Sequence, residues 1–170
     1  MFLKAIFVIF LSLLAYSGYS QISTNAGTDF WFAFPECYDR TLAKYWVNIT
    51  SDSSTTGTVS IPGTGFTRNF SVSPGGVARI DLPSADATII GSNINVQKAI
   101  HVTSANEVVV FAVTYANFRH EASLVLPNKS LGTTYRAMTY SSEIKSFLLR
   151  PSEFSIVAAG DTVVVDITPS

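Results

Sequence analysis

One pair of carboxylates in the sequence has a spacing that could support chemistry. Glu36 and Asp39 lie three residues apart, on either side of Cys37 and Tyr38 and directly after Pro35. Two carboxyl groups this close could bind a cation or act as an acid–base pair. Because Pro35 indicates a loop and the sequence shows no partner group for either side chain, we interpret the pair as a solvated acidic loop. Glu36 and Asp39 remain candidates for ligand binding.

The two histidines make a weak case for a metal site. His101 lies on the polar side of a predicted strand, and His120 follows Arg119 in a predicted loop. Neither has a cysteine or carboxylate at the ligand spacing of known zinc sites. The sequence also lacks a Gly-x-Ser-x-Gly elbow and a phosphate-cradling glycine loop. It therefore predicts no catalytic, metal-binding or cofactor-binding residue, and His120 is kept only as a candidate ligand contact.

The stretch GTDFWFAFPE, residues 27–36, concentrates aromatic side chains near the start of the chain. Successive side chains of a strand point to opposite sides, so Phe30, Phe32 and Phe34 share one side. We predict that these phenylalanines are core residues, each stabilising the fold by about 1.5–3 kcal/mol. Trp31 lies on the other side and is the candidate for stacking on a ligand. The competing interpretation is a structural tryptophan, since this residue type is usually well buried.

The first twenty residues have the three-part layout of a secretory signal peptide. Lys4 precedes an apolar run at 5–15, and small residues lead to a cleavage site between Ser20 and Gln21. The apolar run is too short for a membrane span, which needs about 20 apolar residues. We therefore predict that residues 1–20 are removed and that the mature chain has no membrane span. The protein is then secreted or displayed on the cell surface.

Charge and cysteine content narrow the range of partners. The chain has 11 Lys and Arg against 12 Asp and Glu without a basic block, which argues against nucleic acid as a partner. Cys37 is the single cysteine, so no internal disulfide forms, and we interpret it as a small buried hydrophobic residue. Stability must then come from a packed core, which a domain of this length can bury.

Most of the mature sequence alternates between apolar and polar residues with a period of two, as strands with one buried side do. These runs are 66–73, 77–82, 94–103, 154–158 and 163–167. The segments Pro62-Gly63-Thr64-Gly65 and Pro74-Gly75-Gly76 separate such runs and predict two hairpin connections with glycine at positive φ. No convincing helix is present. The sequence therefore predicts an all-β fold, an antiparallel β-sandwich of short strands.

The run from Glu107 to Asn117 differs from the others because it is apolar on both sides. Val109, Phe111 and Val113 share one side, and the other side is apolar as well. A run of this kind predicts a central strand, or one that a second module covers.

The chain also contains an internal similarity at an offset near 105–108 residues. Gly27-Thr28-Asp29-Phe30 is matched by Gly132-Thr133-Thr134-Tyr135, and 46–62 is matched in character by 154–169. We interpret residues 21–131 as one β-sandwich module and 132–170 as the first strands of a second, truncated module. Chance similarity between strands is the alternative. Further domains of a longer parent protein are expected on the first interpretation.

Six segments of the sequence point together to a known family. They are GTDFWFAFPE, NITS, IPGTGFTRNFSVSPGG, VQKAIHVTSANEVVVFA, LVLPNKSLGTTYRAMTY and EFSIVAAGDTVVVDITP. In order and spacing this series resembles the N-terminal domain of IgGFc-binding-type proteins, and the resemblance stops partway through that family's domain. It implies a β-rich binding domain in a larger secreted or surface protein of Bacteroidetes-type bacteria. The sequence departs from the family around Ala159-Gly160-Asp161, where an acidic, asparagine-bearing turn is usual.

The expected function is a non-enzymatic extracellular module for adhesion or ligand binding, with an extracellular protein or glycan as its partner. The loops at 36–45 and 117–121 and the polar strand faces would carry the contact. One alternative is a polysaccharide-active enzyme or its carbohydrate-binding accessory module, for which Trp31, Glu36 and Asp39 are the nominated residues. Another is a structural spacer in a surface array. The resemblance contributes no catalytic residue and no antibody Fc contact.

Overall fold

The computed structural model describes residues 25–37, 42–92, 94–117, 119–138, 153–160 and 162–168. The strands in this part of the chain are β1 Gly27–Phe32, β2 Phe34–Pro35, β3 Lys44–Thr50, β4 Thr55–Ile61, β5 Phe66–Val72, β6 Val77–Leu82, β7 Thr88–Ile89, β8 Ile100–Ala116 and β9 Arg119–Val125. A single turn of α-helix, α1, spans Ser84–Ala87, and a 3₁₀ turn spans Asn128–Ser130. The predicted all-β class is confirmed.

Strand β8 is the centre of the main sheet and pairs with four other strands. Its first half pairs antiparallel with β1 on one edge and β4 on the other. Its second half pairs antiparallel with β9 and β3. Strand β5 pairs with β4 and strand β6 with β3, so each half of the sheet has four strands. The predicted central strand is therefore confirmed, although it is 17 residues long rather than short.

The chain passes from one half of the sheet to the other at three places, which we call corners. Residues 51–54 separate β3 from β4, and residues 73–76 separate β5 from β6. Between the same two halves, β8 carries extra residues at 104–107, because Gly27 pairs with Val108 whereas Asp29 pairs with Thr103. An insertion of this kind is a β-bulge, which bends a strand and increases its twist.

Hydrogen bonds hold the three corners together. The Ser51 hydroxyl donates to the Glu107 carbonyl at 2.8 Å, and the Gly75 amide donates to the Ser51 carbonyl at 2.9 Å. The Asn106 amide donates to the Thr55 hydroxyl at 2.9 Å. These contacts satisfy backbone groups that the interrupted ladders leave without a strand partner.

In the described part of the chain, one hydrophobic core lies between the two halves of the sheet. Residues from both halves belong to it, and the fully buried ones include Phe30, Tyr45, Val47, Ile49, Val59, Ile61, Ile100, Val102, Val108 and Val110. The phenylalanine prediction is confirmed for Phe30 and Phe34, which are buried, and Phe32 packs against the core while partly exposed. This shared core makes the two halves a β-sandwich.

The prediction of two hairpin connections is right for one segment and wrong for the other. Residues 62–65 join β4 to β5, which pair with each other, and Gly65 has a φ of 79°. Residues 73–76 join β5 to β6, which pair with different partners, β4 and β3. The second segment is therefore a corner between the two halves, although Gly75 still adopts positive φ at 69°.

Three other segments depart from the predicted pattern. Residues 94–96 form no strand, and Ile94 and Val96 are exposed. The alternating runs at 154–158 and 163–167 are also exposed and form no strand.

The domain boundary at 131/132 and the signal peptide at 1–20 stay predictions, and residues 1–24, with the cleavage site, lie outside the described residues. Within the described residues, no helix has the length and apolar character that crossing a membrane requires.

Tyr45 is a buried phenol whose ionisation should weaken the fold. Burial raises the pKa of Tyr45, a hydrogen bond with the Thr88 side chain opposes the shift, and Cys37 adds to it. The Cys37 sulfur lies 3.7 Å from the Tyr45 hydroxyl. In the unfolded chain the phenol ionises near pH 10. Above this pH the unfolded state loses its proton first, so the stability that neutral Tyr45 contributes is lost as pH rises through the folded-state pKa.

We therefore expect the free energy of unfolding to fall less steeply between about pH 9 and pH 11 in Tyr45→Phe than in the wild type. Urea denaturation at several pH values measures this slope. The control is Tyr135→Phe, because Tyr135 is 69% exposed and should leave the slope unchanged. Identical slopes for wild type and Tyr45→Phe would show that Tyr45 does not couple folding to pH.

Candidate functional site

The outward side of β1, the first half of β8, β4 and β5 is a hydrogen-bonding surface. Pairing across these strands places the side chains in two rows, because directly opposite residues point to the same side. One row is Trp31, His101, Ser60 and Thr67, and the other is Asp29, Thr103, Thr58 and Asn69. We call this surface the polar face. With strands about 4.8 Å apart, each row extends about 15 Å across the sheet.

Asp29 is the centre of a network that fixes one end of the polar face. Its Oδ1 lies 2.8 Å from His101 Nε2, and its Oδ2 accepts a hydrogen bond of 2.7 Å from the Asn128 side-chain amide. Asn128 belongs to the 3₁₀ turn that follows β9, so the network joins three parts of the chain. The side chain of Asp29 is still 47% exposed, which leaves the carboxylate accessible to a ligand.

Trp31 stacks on the imidazole ring of His101. The two ring centroids are 4.0 Å apart and the planes differ by 12°. His101 is thus held by a carboxylate at Nε2 and by an indole against its ring, and Trp31 in turn has a fixed orientation. Strand β1 is the outermost strand of this half of the sheet in the described residues, so Trp31 lies at the rim of the polar face. An aromatic ring beside hydrogen-bonding groups can contact an amphipathic ligand with both.

The 3₁₀ turn packs closely under this network. A Cβ atom at Gly27 would lie 2.4 Å from Cβ of Pro127, which shows how near the turn is to the start of β1. Asn128 Oδ1 is buried without a hydrogen-bond partner among the described residues. Lys129 forms an ion pair with Glu107 of β8, which attaches the same turn to the corner of the sheet.

The structure describes three of the four residues that the sequence nominates, and it places these three on different strands or loops. Trp31 lies on the polar face. Glu36 follows β2, where its Oε2 accepts a hydrogen bond of 3.2 Å from the Gly91 amide. Asp39 lies outside the described residues. His120 belongs to β9 rather than to a loop, and its ring centroid lies 4.5 Å from that of Tyr115.

His120 borders a second surface, on the outward side of the other half of the sheet. The ring centroids of Trp46 and Tyr115 are 6.5 Å apart there, and Cζ of Arg79 lies 4.0 Å from the ring centroid of Trp46. We call the residues Trp46, Phe111, Val113, Tyr115 and Leu124 the aromatic face. Phe111 is paired with Leu124, and Val113 with Trp46.

Sequence reasoning alone missed Asp29, His101 and Asn128 as parts of one network. The alternating pattern could have placed Asp29 and Trp31 on the same side of a strand, and it did place His101 on the polar side. Asn128 is 99 residues from Asp29 in the chain, and no local signal connects them. The described residues contain no group of three or more His, Cys, Asp or Glu side chains that could hold a metal ion.

No family model matches the chain, and comparison with curated proteins and with solved structures finds no significant match. Membership of the IgGFc-binding-type family therefore stays a prediction from the sequence.

Proposed function

We propose that the chain is a non-enzymatic extracellular module that binds glycans through its polar face. The observation that carries this proposal is the arrangement of Trp31 beside Asp29 on the outward side of the sheet, where both are half-buried. A sugar ring presents a face of C–H groups and a rim of hydroxyl groups. An indole ring can pack against the C–H face, and carboxylate, hydroxyl and amide groups can hydrogen-bond to the hydroxyl groups.

The two rows of the polar face supply the hydrogen-bonding groups. Thr58, Thr103 and Asn69 extend the row that begins at Asp29, and the Thr58 hydroxyl donates to Asn69 Oδ1 at 3.2 Å. Both donors and acceptors are present without a strong net charge, which suits a neutral polyhydroxylated ligand. Because the proposed site is the open outward side of a sheet, we expect moderate affinity and repeated contacts along an extended glycan rather than enclosure of one sugar.

The preorganised network favours binding, because ordering costs are lower when the contact residues are already fixed. Asp29 is held by two partners and Trp31 by one.

In this proposal, extracellular placement rests on the predicted signal peptide at 1–20 and on the family resemblance. Adhesion to a glycan-bearing surface would follow from many such modules acting together.

The test is glycan-array binding by the full chain, followed by titration of the best glycan with Trp31→Ala. We expect Trp31→Ala to weaken binding by about tenfold or more, a loss of about 1.4 kcal/mol of binding energy. The matched control is Tyr135→Ala, which removes an exposed aromatic residue outside the polar face and should bind as the wild type does. Glycan binding that survives Trp31→Ala unchanged would exclude the polar face as the site.

The alternative of a polysaccharide-active enzyme is favoured by one observation, the contact of 2.8 Å between Asp29 and His101, which resembles an oriented general base. The two functions differ in turnover. A binding module leaves the glycan intact, whereas an enzyme would release products that disappear in Asp29→Asn. Chromatography of the glycan after incubation with wild type and Asp29→Asn separates the two.

A further inference from the structure

With His101 neutral, the polar face carries a single formal charge, the carboxylate of Asp29. Its two rows contain eight side chains, and the other seven are an indole, an imidazole and five hydroxyl or amide groups. The Asp29 side chain is 47% exposed, so its charge is open to a ligand. Because the two rows contain no lysine or arginine, a ligand that lies on them meets a negative group without a compensating positive one.

The two groups that hold Asp29 orient its carboxylate without cancelling this charge. One is the side-chain amide of Asn128, whose Nδ2 lies 2.7 Å from Oδ2. The other is His101, whose Nε2 lies 2.8 Å from Oδ1 and donates there when the imidazole is neutral. The Asn128 oxygen is buried without a partner among the described residues, because the amide must turn its nitrogen to the carboxylate. The network therefore fixes where the negative charge lies.

Basic side chains on neighbouring segments are engaged elsewhere. Lys129 forms an ion pair with Glu107 at the corner of the sheet. Lys98 Nζ donates to two backbone carbonyls at 2.6 and 3.0 Å. Arg68 belongs to β5 but points away from the polar face, with its Cζ 5.9 Å from the ring centroid of Phe66. In the part of the chain that the structure describes, none of these three cations forms an ion pair with Asp29.

A ligand that packs on Trp31 lies beside this carboxylate. Asp29 and Trp31 are two residues apart on β1 and point to the same side. They are therefore about 7 Å apart along the strand, which is within the reach of one sugar unit. Binding through the indole thus brings the substituents of the glycan next to Asp29.

We propose that Asp29 determines the charge specificity of the polar face, so that the face binds neutral glycans and excludes glycans that carry carboxylate or sulfate groups. This inference rests on the proposed glycan-binding function and adds to it the class of ligand. A sugar hydroxyl can donate to a free lone pair of the carboxylate, whereas an anionic group can only accept. The anionic group therefore meets a like charge with no hydrogen bond to offset the repulsion.

The test is binding of the full chain, at about pH 8 and low salt, to an array that carries neutral glycans beside their sialylated, sulfated and uronic-acid forms. We expect the wild type to bind the acidic forms about fivefold or more weakly than the neutral ones, as like charges about 4 Å apart require. Asp29→Asn should bind both forms alike. Thr103→Lys should do the same while leaving Asp29 intact, because Thr103 is paired with Asp29 and the lysine would compensate its charge.

Asp81→Asn is the matched control. It removes the same charge from a carboxylate that is 71% exposed and lies opposite Trp46, on the outward side of the other half of the sheet. We expect it to keep the preference for neutral glycans. Thermal unfolding followed by circular dichroism verifies that each variant is folded.

Salt gives a second measurement, because it screens charge repulsion and leaves contacts with neutral sugars unchanged. Raising the salt from about 20 mM to about 500 mM should strengthen wild-type binding of acidic glycans and have no such effect in Asp29→Asn.

Equal binding of acidic and neutral glycans by the wild type would overturn this inference and leave the proposed function standing. A preference for neutral glycans that survives in Asp29→Asn and in Thr103→Lys would overturn it as well, as would its loss in Asp81→Asn. Failure of the wild type to bind any glycan at either salt concentration would remove the proposed function and this inference together.

Discussion

Replacing Phe30 with alanine is expected to lower the free energy of unfolding by about 3–5 kcal/mol. Phe30 is fully buried in the core that joins the two halves of the sheet. Its removal costs the transfer free energy of the ring and leaves a cavity between strands that the main-chain ladders hold in place. Urea denaturation followed by circular dichroism measures the loss, which is a large share of the stability of an ordinary domain.

Trp31→Ala is the control for this prediction, because Trp31 is the next residue and points outward. It should change stability much less than Phe30→Ala while reducing glycan binding. The two adjacent aromatic residues therefore separate stability from function. Equal destabilisation by both substitutions would show that Trp31 is a structural residue, and would remove the main support for the polar face as a binding surface.

Gly57→Ala is expected to destabilise the fold by about 3 kcal/mol or more, at the upper end of what overpacking costs. A Cβ atom at this position would lie 2.1 Å from the Thr103 carbonyl oxygen and 2.4 Å from the Phe70 ring. Gly57 pairs with Phe70 of β5 on one side and with Ser104 of β8 on the other. The Thr103 carbonyl lies next to the bulge in β8 and cannot move aside without breaking the sheet at its corner. The strain therefore falls on β4.

Gly132→Ala is the matched control, since a Cβ at Gly132 would meet no heavy atom within 4 Å and its φ is not positive. Thermal unfolding of both variants against the wild type measures the difference. We expect a much lower midpoint for Gly57→Ala and an unchanged one for Gly132→Ala. A Gly57→Ala variant that unfolds with the wild-type midpoint would mean that β4 and β5 lie farther from β8 than described.

Side-chain alternation predicted which residues face the core, and it did so well within paired strands. In β6, Leu82 is buried and Arg79 and Asp81 are exposed, as the pattern requires. The same pattern failed at Ile94 and Val96, which lie in no strand. Alternation reports only that a segment could bury one side. Whether a neighbouring strand is present to pair with it depends on the rest of the chain.

The two glycine-containing turns show the same limit. Both segments required a glycine at positive φ, and both have one, at Gly65 and Gly75. The local backbone was therefore predictable. The partner of the strand that follows was not predictable. Strand β5 pairs with its neighbour β4, whereas β6 pairs with β3, which lies earlier in the chain. Only long-range pairing distinguishes a hairpin from a corner.

By itself, the sequence determined that this chain builds an all-β core with Phe30 and Trp31 on opposite sides of one strand, since both depend on the two-residue period of a strand. Its single cysteine also excludes an internal disulfide. The tertiary structure alone decided that Asp29, His101 and Asn128 meet, and that one outward side is polar and the other aromatic. Those features need strands far apart in sequence to become neighbours. The bulge in β8 and the corners beside it set which neighbours they become, and no local pattern of side chains encodes that choice.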